Sequence, residues 1–167
     1  MQDIKLLPIA EQRRLAVEEA LTWIKTPYLS GQMVKGAGCD CLTLLAGTFI
    51  NAKLVEPFVV PRYSADWFYN QSEETYLNGL LDYCVEQPED YKPLPGDALL
   101  WKFGKCYSHG ALVVEWPIII HAYVGRTCGR DNIDRSIYLQ AMKRKYGLKH
   151  EGLQPRPMKV FTLKEWA

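Results

Sequence analysis

Gly36-Ala37-Gly38-Cys39-Asp40-Cys41-Leu42-Thr43-Leu44-Leu45-Ala46-Gly47-Thr48-Phe49-Ile50 is the stretch on which the reading of this chain turns. Asp40 stands where a helix N-cap belongs, since its carboxylate can accept from the first free backbone N–H groups. Residues 41–53 then form a largely apolar run (Leu42, Leu44, Leu45, Ala46, Phe49, Ile50), which predicts a buried helix. Gly31, Gly36 and Gly38 precede it in a loop that can turn sharply and leave the Cys41 thiol facing a cleft. A thiol attacks as thiolate, and a helix N-terminus or a neighbouring imidazolium lowers its pKa from about 8.5. Cys41 is therefore the candidate nucleophile. The other cysteines lack that setting: Cys39 lies in the loop, Cys84 in a helical patch, Cys106 and Cys128 in turns.

Upstream of the loop, residues 11–25 place Val17, Ala20, Leu21 and Ile24 on one helical face, and Thr26-Pro27 ends that helix. Downstream, residues 56–91 carry helical patches at 64–69 and 74–85 and read as an insertion. The turn Pro93-Leu94-Pro95-Gly96-Asp97 then opens a region of strands at 98–103, 110–115 and 118–124. A helix over 137–146 and a last strand near 158–163 complete the pattern. Helices first and antiparallel strands later predict an α+β fold, with helices on one face of the sheet. Two of the three histidines fall on neighbouring strands, His109 just before 110–115 and His121 within 118–124. If Trp116-Pro117 closes a hairpin, the two imidazoles sit side by side and one can orient the other, as a nucleophilic triad requires. His150 reads as a surface residue in a polar tail.

The 167 residues suggest a single domain, and 48% apolar with 23% charged residues is a globular composition. Twenty basic against 19 acidic residues give a formal charge of +1, which argues against a nucleic-acid binder. The basic cluster Lys143, Arg144, Lys145 and Lys149 reads as a solvated face. The apolar stretch 111–122 is interrupted by Glu115, Pro117 and His121 and is too short to span a bilayer. Residues 1–10 lack a basic region followed by an apolar run, so the expectation is a soluble chain made in the cytoplasm without a signal peptide. Five irregularly spaced cysteines suit neither a disulfide framework nor the paired knuckles of structural zinc. No metal and no cofactor are expected.

Taken in order, Gly36–Leu45, Leu94-Pro95-Gly96-Asp97, Ser108-His109-Gly110-Ala111-Leu112-Val113 and Ile120-His121-Ala122 resemble the NlpC/P60 cysteine peptidases. The run Gly38-Cys39-Asp40-Cys41-Leu42 is similar to the phage and gene-transfer-agent tail branch of that family. The resemblance implies a papain-like core that cleaves peptidoglycan stem peptides, usually between γ-D-glutamate and a diamino acid. It implies Cys41 as nucleophile, His109 as base and His121 as the third polar member. Tyr28, Asp40 and Ser108 match substrate-binding positions: Asp40 for a substrate amine, Tyr28 for hydrogen bonding near the thiolate. The expected partners are stem peptides and tail-tip or baseplate proteins, without nucleic acid or membrane insertion, and the expected location is a virion or phage-like particle.

Two features depart from the family pattern. Leu42-Thr43 replaces the usual Ser-Gly after the nucleophile, and the 56–91 insertion separates Cys41 from His109 by 68 positions. The alternatives are a structural tail component with little turnover, whose partner could dock on Trp67, Phe68 and Tyr69, or a cytoplasmic enzyme acting on muropeptides or acyl groups.

Overall fold

The computed structural model describes residues 4–64, 73–135 and 156–167. Readings that fall on 65–72 and 136–155 (the patch at 64–69 beyond Ser64, the 137–146 helix, His150, the Trp67-Phe68-Tyr69 surface and the basic cluster) lie outside the described residues. The architecture is α+β, as the order of helices and strands predicts. Helix α1 spans Ile9–Leu21, and the small strands β1 (Met33–Val34) and β2 (Gly38–Cys39) pair antiparallel before helix α2, Cys41–Asn51. Helix α3 (Thr75–Leu81) follows, then β3 (Cys84–Glu86), β4 (Ala98–Phe103), β5 (Cys106–Glu115), β6 (Ile118–His121), β7 (Gly129–Asn132) and β8 (Met158–Leu163). These last six form one sheet in the order β3-β8-β4-β5-β6-β7, antiparallel throughout. Among the described residues no helix is long and apolar enough to cross a membrane.

Period-two alternation divides the sheet into two faces. Ala98, Leu100, Leu112, Ile120, Phe161 and Leu163 pack under the helices with Leu44, Leu45, Phe49 and Ala16. Leu99, Trp101, Phe103, Ala111, Val113, Ile119 and Val160 form a second cluster on the other face. The long apolar face of α2 is thus satisfied against the middle strands, which is why a helix without charged residues is stable there.

Asp97, from the Leu-Pro-Gly-Asp turn, is fully buried and ties α1 to the sheet. It accepts from Arg13 Nη1 at 2.9 Å, Thr162 Oγ1 at 2.9 Å, Tyr91 OH at 3.0 Å and the Leu94 N–H at 2.8 Å. These partners offset the desolvation that burial costs the carboxylate, and removing one of them would leave its charge undercompensated.

Several elements differ from expectation. Helix α1 ends at Leu21 rather than 25: Lys25 adopts a positive φ of 71°, and its N–H bonds to Cys128 O instead. The patch at 74–85 splits, so Cys84 lies on a strand, where β3 pairs with β8 through Cys84↔Leu163. Local helix propensity loses there to an open strand edge. Cys106 is likewise the first residue of β5, opposite Phe103, because the reversal is a tight turn at Gly104. Cys128 is not in a free turn either: its N–H bonds to Thr26 O. Strand β6 stops at His121 rather than 124, since residues 126–128 turn back to pair with Thr26–Tyr28.

Candidate active site

Gly36, at φ 79°, reverses the chain between β1 and β2 and delivers Cys39-Asp40 to the start of α2. Asp40 is the N-cap: Oδ1 accepts from the N–H of Leu42 (3.1 Å) and Thr43 (2.9 Å), and Thr43 Oγ1 accepts from the Asp40 N–H at 2.8 Å, closing a capping box. Thr43, which stands where the family pattern has glycine, is therefore part of the cap. Asp40 Oδ2 accepts from the Gly31 N–H at 2.7 Å and from Tyr63 OH in a short bond. At 2% exposure, with both oxygens occupied, this carboxylate serves the helix start and leaves no free lone pair for the cleft.

Cys41, half-buried, is the first residue of α2, where the sequence places it. Its thiol meets strand β5 at an opening in the sheet. Leu112 pairs with Ile120, but β6 ends at His121, so the β5 backbone near Ser108 loses its neighbour on that side. Cys41 Sγ lies there, donating to Ser108 O at 3.6 Å and facing the Gly110 N–H. The nucleophile candidate thus touches the backbone on both sides of His109. Ser108 itself is buried and its hydroxyl donates to Phe103 O at 3.2 Å. The Ser108 carbonyl, not its side chain, is what meets the thiol.

His109 and His121 come together as the hairpin predicts. His109 Nε2 lies 3.0 Å from His121 Nδ1, both residues are buried, and the rings meet edge to face. His109 projects from the face it shares with Trp101 and Phe103, and Tyr123 covers the pair. Its Nε2 is engaged with His121, which leaves Nδ1 as the nitrogen able to take a proton. His121 Nε2 in turn lies 3.6 Å from Asp131 Oδ2 on β7.

The electrostatics correct one expectation. Burial, and then the Asp40 carboxylate, push the Cys41 thiol up to about 12, although the N–H groups of Gly110, Leu42 and Cys41 pull the other way. Burial, and then the positive charge His121 can carry, hold His109 well below the usual histidine range. The resting pair is a neutral thiol and a neutral imidazole, because burial disfavours both ions. Alkylation of Cys41 by iodoacetamide is accordingly expected to accelerate steadily from pH 7 to 10, with no plateau near 8.5. A plateau below pH 7 would instead reveal a preformed thiolate–imidazolium pair.

Three tyrosines complete the surroundings. Tyr28, half-buried, pairs with Cys39 through its backbone and lies beside Cys41 and Asp40; burial, then these two neighbours, raise its hydroxyl above the usual range, so it remains a donor. Tyr63 holds Asp40, and Tyr76 OH donates to Cys41 O at 3.1 Å. No family model matches the chain, and no curated protein matches it. Solved structures do. The NlpC/p60 domain of the peptidoglycan hydrolase SagA matches with TM-score 0.53 at 17% identity, over 73% of this chain and 90% of that one. NlpC2 from Trichomonas vaginalis matches with TM-score 0.56 at 15% identity, over 98% of this chain and 50% of that one. An NLP/P60 protein, similar to a lipoprotein, from Staphylococcus aureus matches with TM-score 0.50 at 21% identity, over 78% and 39%. The chain has the NlpC/P60 fold. It spans half or less of the Trichomonas and Staphylococcus chains.

Within this NlpC/P60 fold the stretch 56–91, over its described residues, contributes directly to the candidate site. Tyr63 and Tyr76, which no local motif marks, come from it, and a cavity of about 420 Å³ lies between it and α2, lined by Leu42, Phe49, Phe58, Tyr63, Tyr76 and Leu80. Asp131 also escaped the sequence reading, since only the β6–β7 pairing brings it beside His121. Gly110 is required by Tyr76: a Cβ there would sit 2.0 Å from the Tyr76 hydroxyl and 3.1 Å from Leu45 Cδ1. Gly110→Ala should cost about 3 kcal/mol through overpacking, read by denaturant unfolding. A loss under about 0.5 kcal/mol would mean that Tyr76 is free to move away.

Proposed function

We propose that this chain is a cysteine peptidase that hydrolyses amide bonds in peptidoglycan stem peptides, with Cys41 as nucleophile, His109 as base and His121 as the group that orients the base. The observation that carries this reading is the 3.0 Å contact between His109 Nε2 and His121 Nδ1, on a strand whose backbone at Ser108 and Gly110 holds the Cys41 thiol. Nucleophile, base and orienter are the parts acyl transfer requires. The fold neighbour SagA, a peptidoglycan hydrolase, supports the substrate class.

In this mechanism the thiol turns from Ser108 O toward the substrate carbonyl, and His109 Nδ1 takes its proton as sulfur attacks. The proton then passes to the leaving amine, and water, deprotonated by His109, hydrolyses the thioester. Because the resting pair is neutral, proton transfer accompanies attack rather than preceding it. Oxyanion donors near Cys41 are its own N–H and the Tyr28 hydroxyl, each worth roughly 3–4 kcal/mol if aligned. The bond is the one between γ-D-glutamate and a diamino acid, and the setting is a phage-like tail tip that opens the wall for DNA delivery. The bond rests on the resemblance of the four motifs to the NlpC/P60 family, and the setting on that of the run Gly38-Cys39-Asp40-Cys41-Leu42 to its phage and gene-transfer-agent branch. Digestion of purified peptidoglycan, with products identified by mass, tests the reading and names the bond.

One observation favours a second reading, a tail component of the same fold with little turnover. The thiol donates to Ser108 O rather than to His109, and its pKa lies far above neutrality. Wild type that releases no fragments, with Cys41 shown to be free and reduced, would select it.

A further inference from the structure

We propose that Asp131 is a positioning residue that sets the tautomers of His121 and His109, so that the free lone pair of the base falls on His109 Nδ1. The observation is a line of contacts across three strands. His109 on β5 lies 3.0 Å from His121 on β6, and His121 Nε2 lies 3.6 Å from Asp131 Oδ2 on β7. Register makes the second contact structural rather than accidental. Ile119 is opposite Asp131 and His121 opposite Gly129, so Asp131 is the diagonal neighbour of His121 on the same face.

The chemistry follows from what a neutral imidazole can offer, one N–H and one lone pair. Only one proton can lie between His109 Nε2 and His121 Nδ1. If His121 Nδ1 carried it, a neutral His121 would point its Nε2 lone pair at the Asp131 carboxylate, and the two would repel. If His109 Nε2 carries it, His121 holds its own proton on Nε2, where Asp131 attracts it, and accepts from His109 at Nδ1. The 3.6 Å separation is longer than a direct hydrogen bond, but it leaves the attraction between N–H and carboxylate, directly or through a bridging water. Asp131 is 18% exposed at its side chain, and Oδ1 also accepts from the Asn132 N–H at 2.8 Å, which holds the carboxylate in place. The arrangement delivers to His109 Nδ1 the basicity that attack by Cys41 needs. This catalytic consequence rests on the peptidase reading; the tautomer assignment does not.

The test is long-range ¹H–¹⁵N NMR of ¹⁵N-labelled wild type, Asp131→Asn and Asp131→Glu, with kinetics beside it. In wild type His109 should show a protonated Nε2 and a bare Nδ1, and His121 a protonated Nε2. In Asp131→Asn, whose amide can present either its oxygen or its NH2 to His121 Nε2, both rings should become tautomer mixtures, and Asp131→Glu should restore the wild-type pattern. Wild type with His109 protonated on Nδ1, or Asp131→Asn with unchanged tautomers, would overturn the proposal. Where wall digestion is measurable, Asp131→Asn should lower kcat by between about tenfold and 10⁴-fold at nearly constant KM, the upper figure being the cost of a wrong tautomer in a serine triad. Spectra as expected but no digestion by wild type would sink the peptidase reading while leaving the tautomer assignment standing.

Discussion

Cys41→Ala is expected to abolish the release of stem-peptide fragments from purified peptidoglycan, a loss on the order of 10⁶-fold in kcat, as when a serine peptidase loses its nucleophile. The fold should survive. Alanine suits the first turn of a helix, the Asp40 cap does not use the thiol, and the lost contacts are weak sulfur ones, to Ser108 O at 3.6 Å and to the Gly110 N–H. The stability change should stay within about 1 kcal/mol. Equal fragment release by wild type and variant would exclude Cys41 as the nucleophile, and a circular dichroism melt on the same samples would separate that result from unfolding.

Asp40→Ala is expected to have the largest effect on stability. It removes the cap, worth about 1–2 kcal/mol, and leaves the Gly31 N–H and the Tyr63 hydroxyl without their acceptor, while the Thr43 hydroxyl keeps the Asp40 carbonyl. Gly31 is exposed, so water can replace its acceptor, whereas the half-buried Tyr63 hydroxyl loses about 1–3 kcal/mol. A total of about 2–5 kcal/mol is a large part of the 5–15 kcal/mol that holds a typical domain folded. Urea unfolding measures it, and a loss below about 1 kcal/mol would show that the capping network is not what holds the start of α2. Asp40→Asn separates charge from geometry. It keeps an acceptor for Leu42 and Thr43, but presents an amide N–H₂ to the Gly31 N–H, so a smaller loss is expected. It also removes the second-largest cause raising the Cys41 pKa, so Cys41 alkylation at pH 8 should become faster than in wild type.

How much of this was legible in the sequence differs from element to element. Asp40 followed by an apolar run marks the first residue of α2, because capping is a local hydrogen-bond requirement. The strands Ala98–Phe103 and Met158–Leu163 fall at their predicted limits, and Trp116-Pro117 links β5 to β6 as expected. Cys84 fails for the opposite reason: nothing local says that a strand edge on β8 is waiting for it. The same holds for β7. Its sequence, Gly129-Arg130-Asp131-Asn132, carries no strand pattern and is ordered by pairing with β6.

The sequence by itself determined the α+β order of elements, the place of Cys41 at a helix start and the nearness of His109 to His121. All three are set by short-range chemistry: a cap, a period, a two-residue hairpin link. Only the tertiary structure decided that Asp40 is consumed by its cap and by Tyr63, that Cys41 rests as a neutral thiol against Ser108 O, and that Asp131 stands beside His121. Burial sets the first two, by closing lone pairs to solvent and by penalising a thiolate. Strand register sets the third, because the neighbours of a side chain on a sheet come from other strands and not from its own stretch of chain.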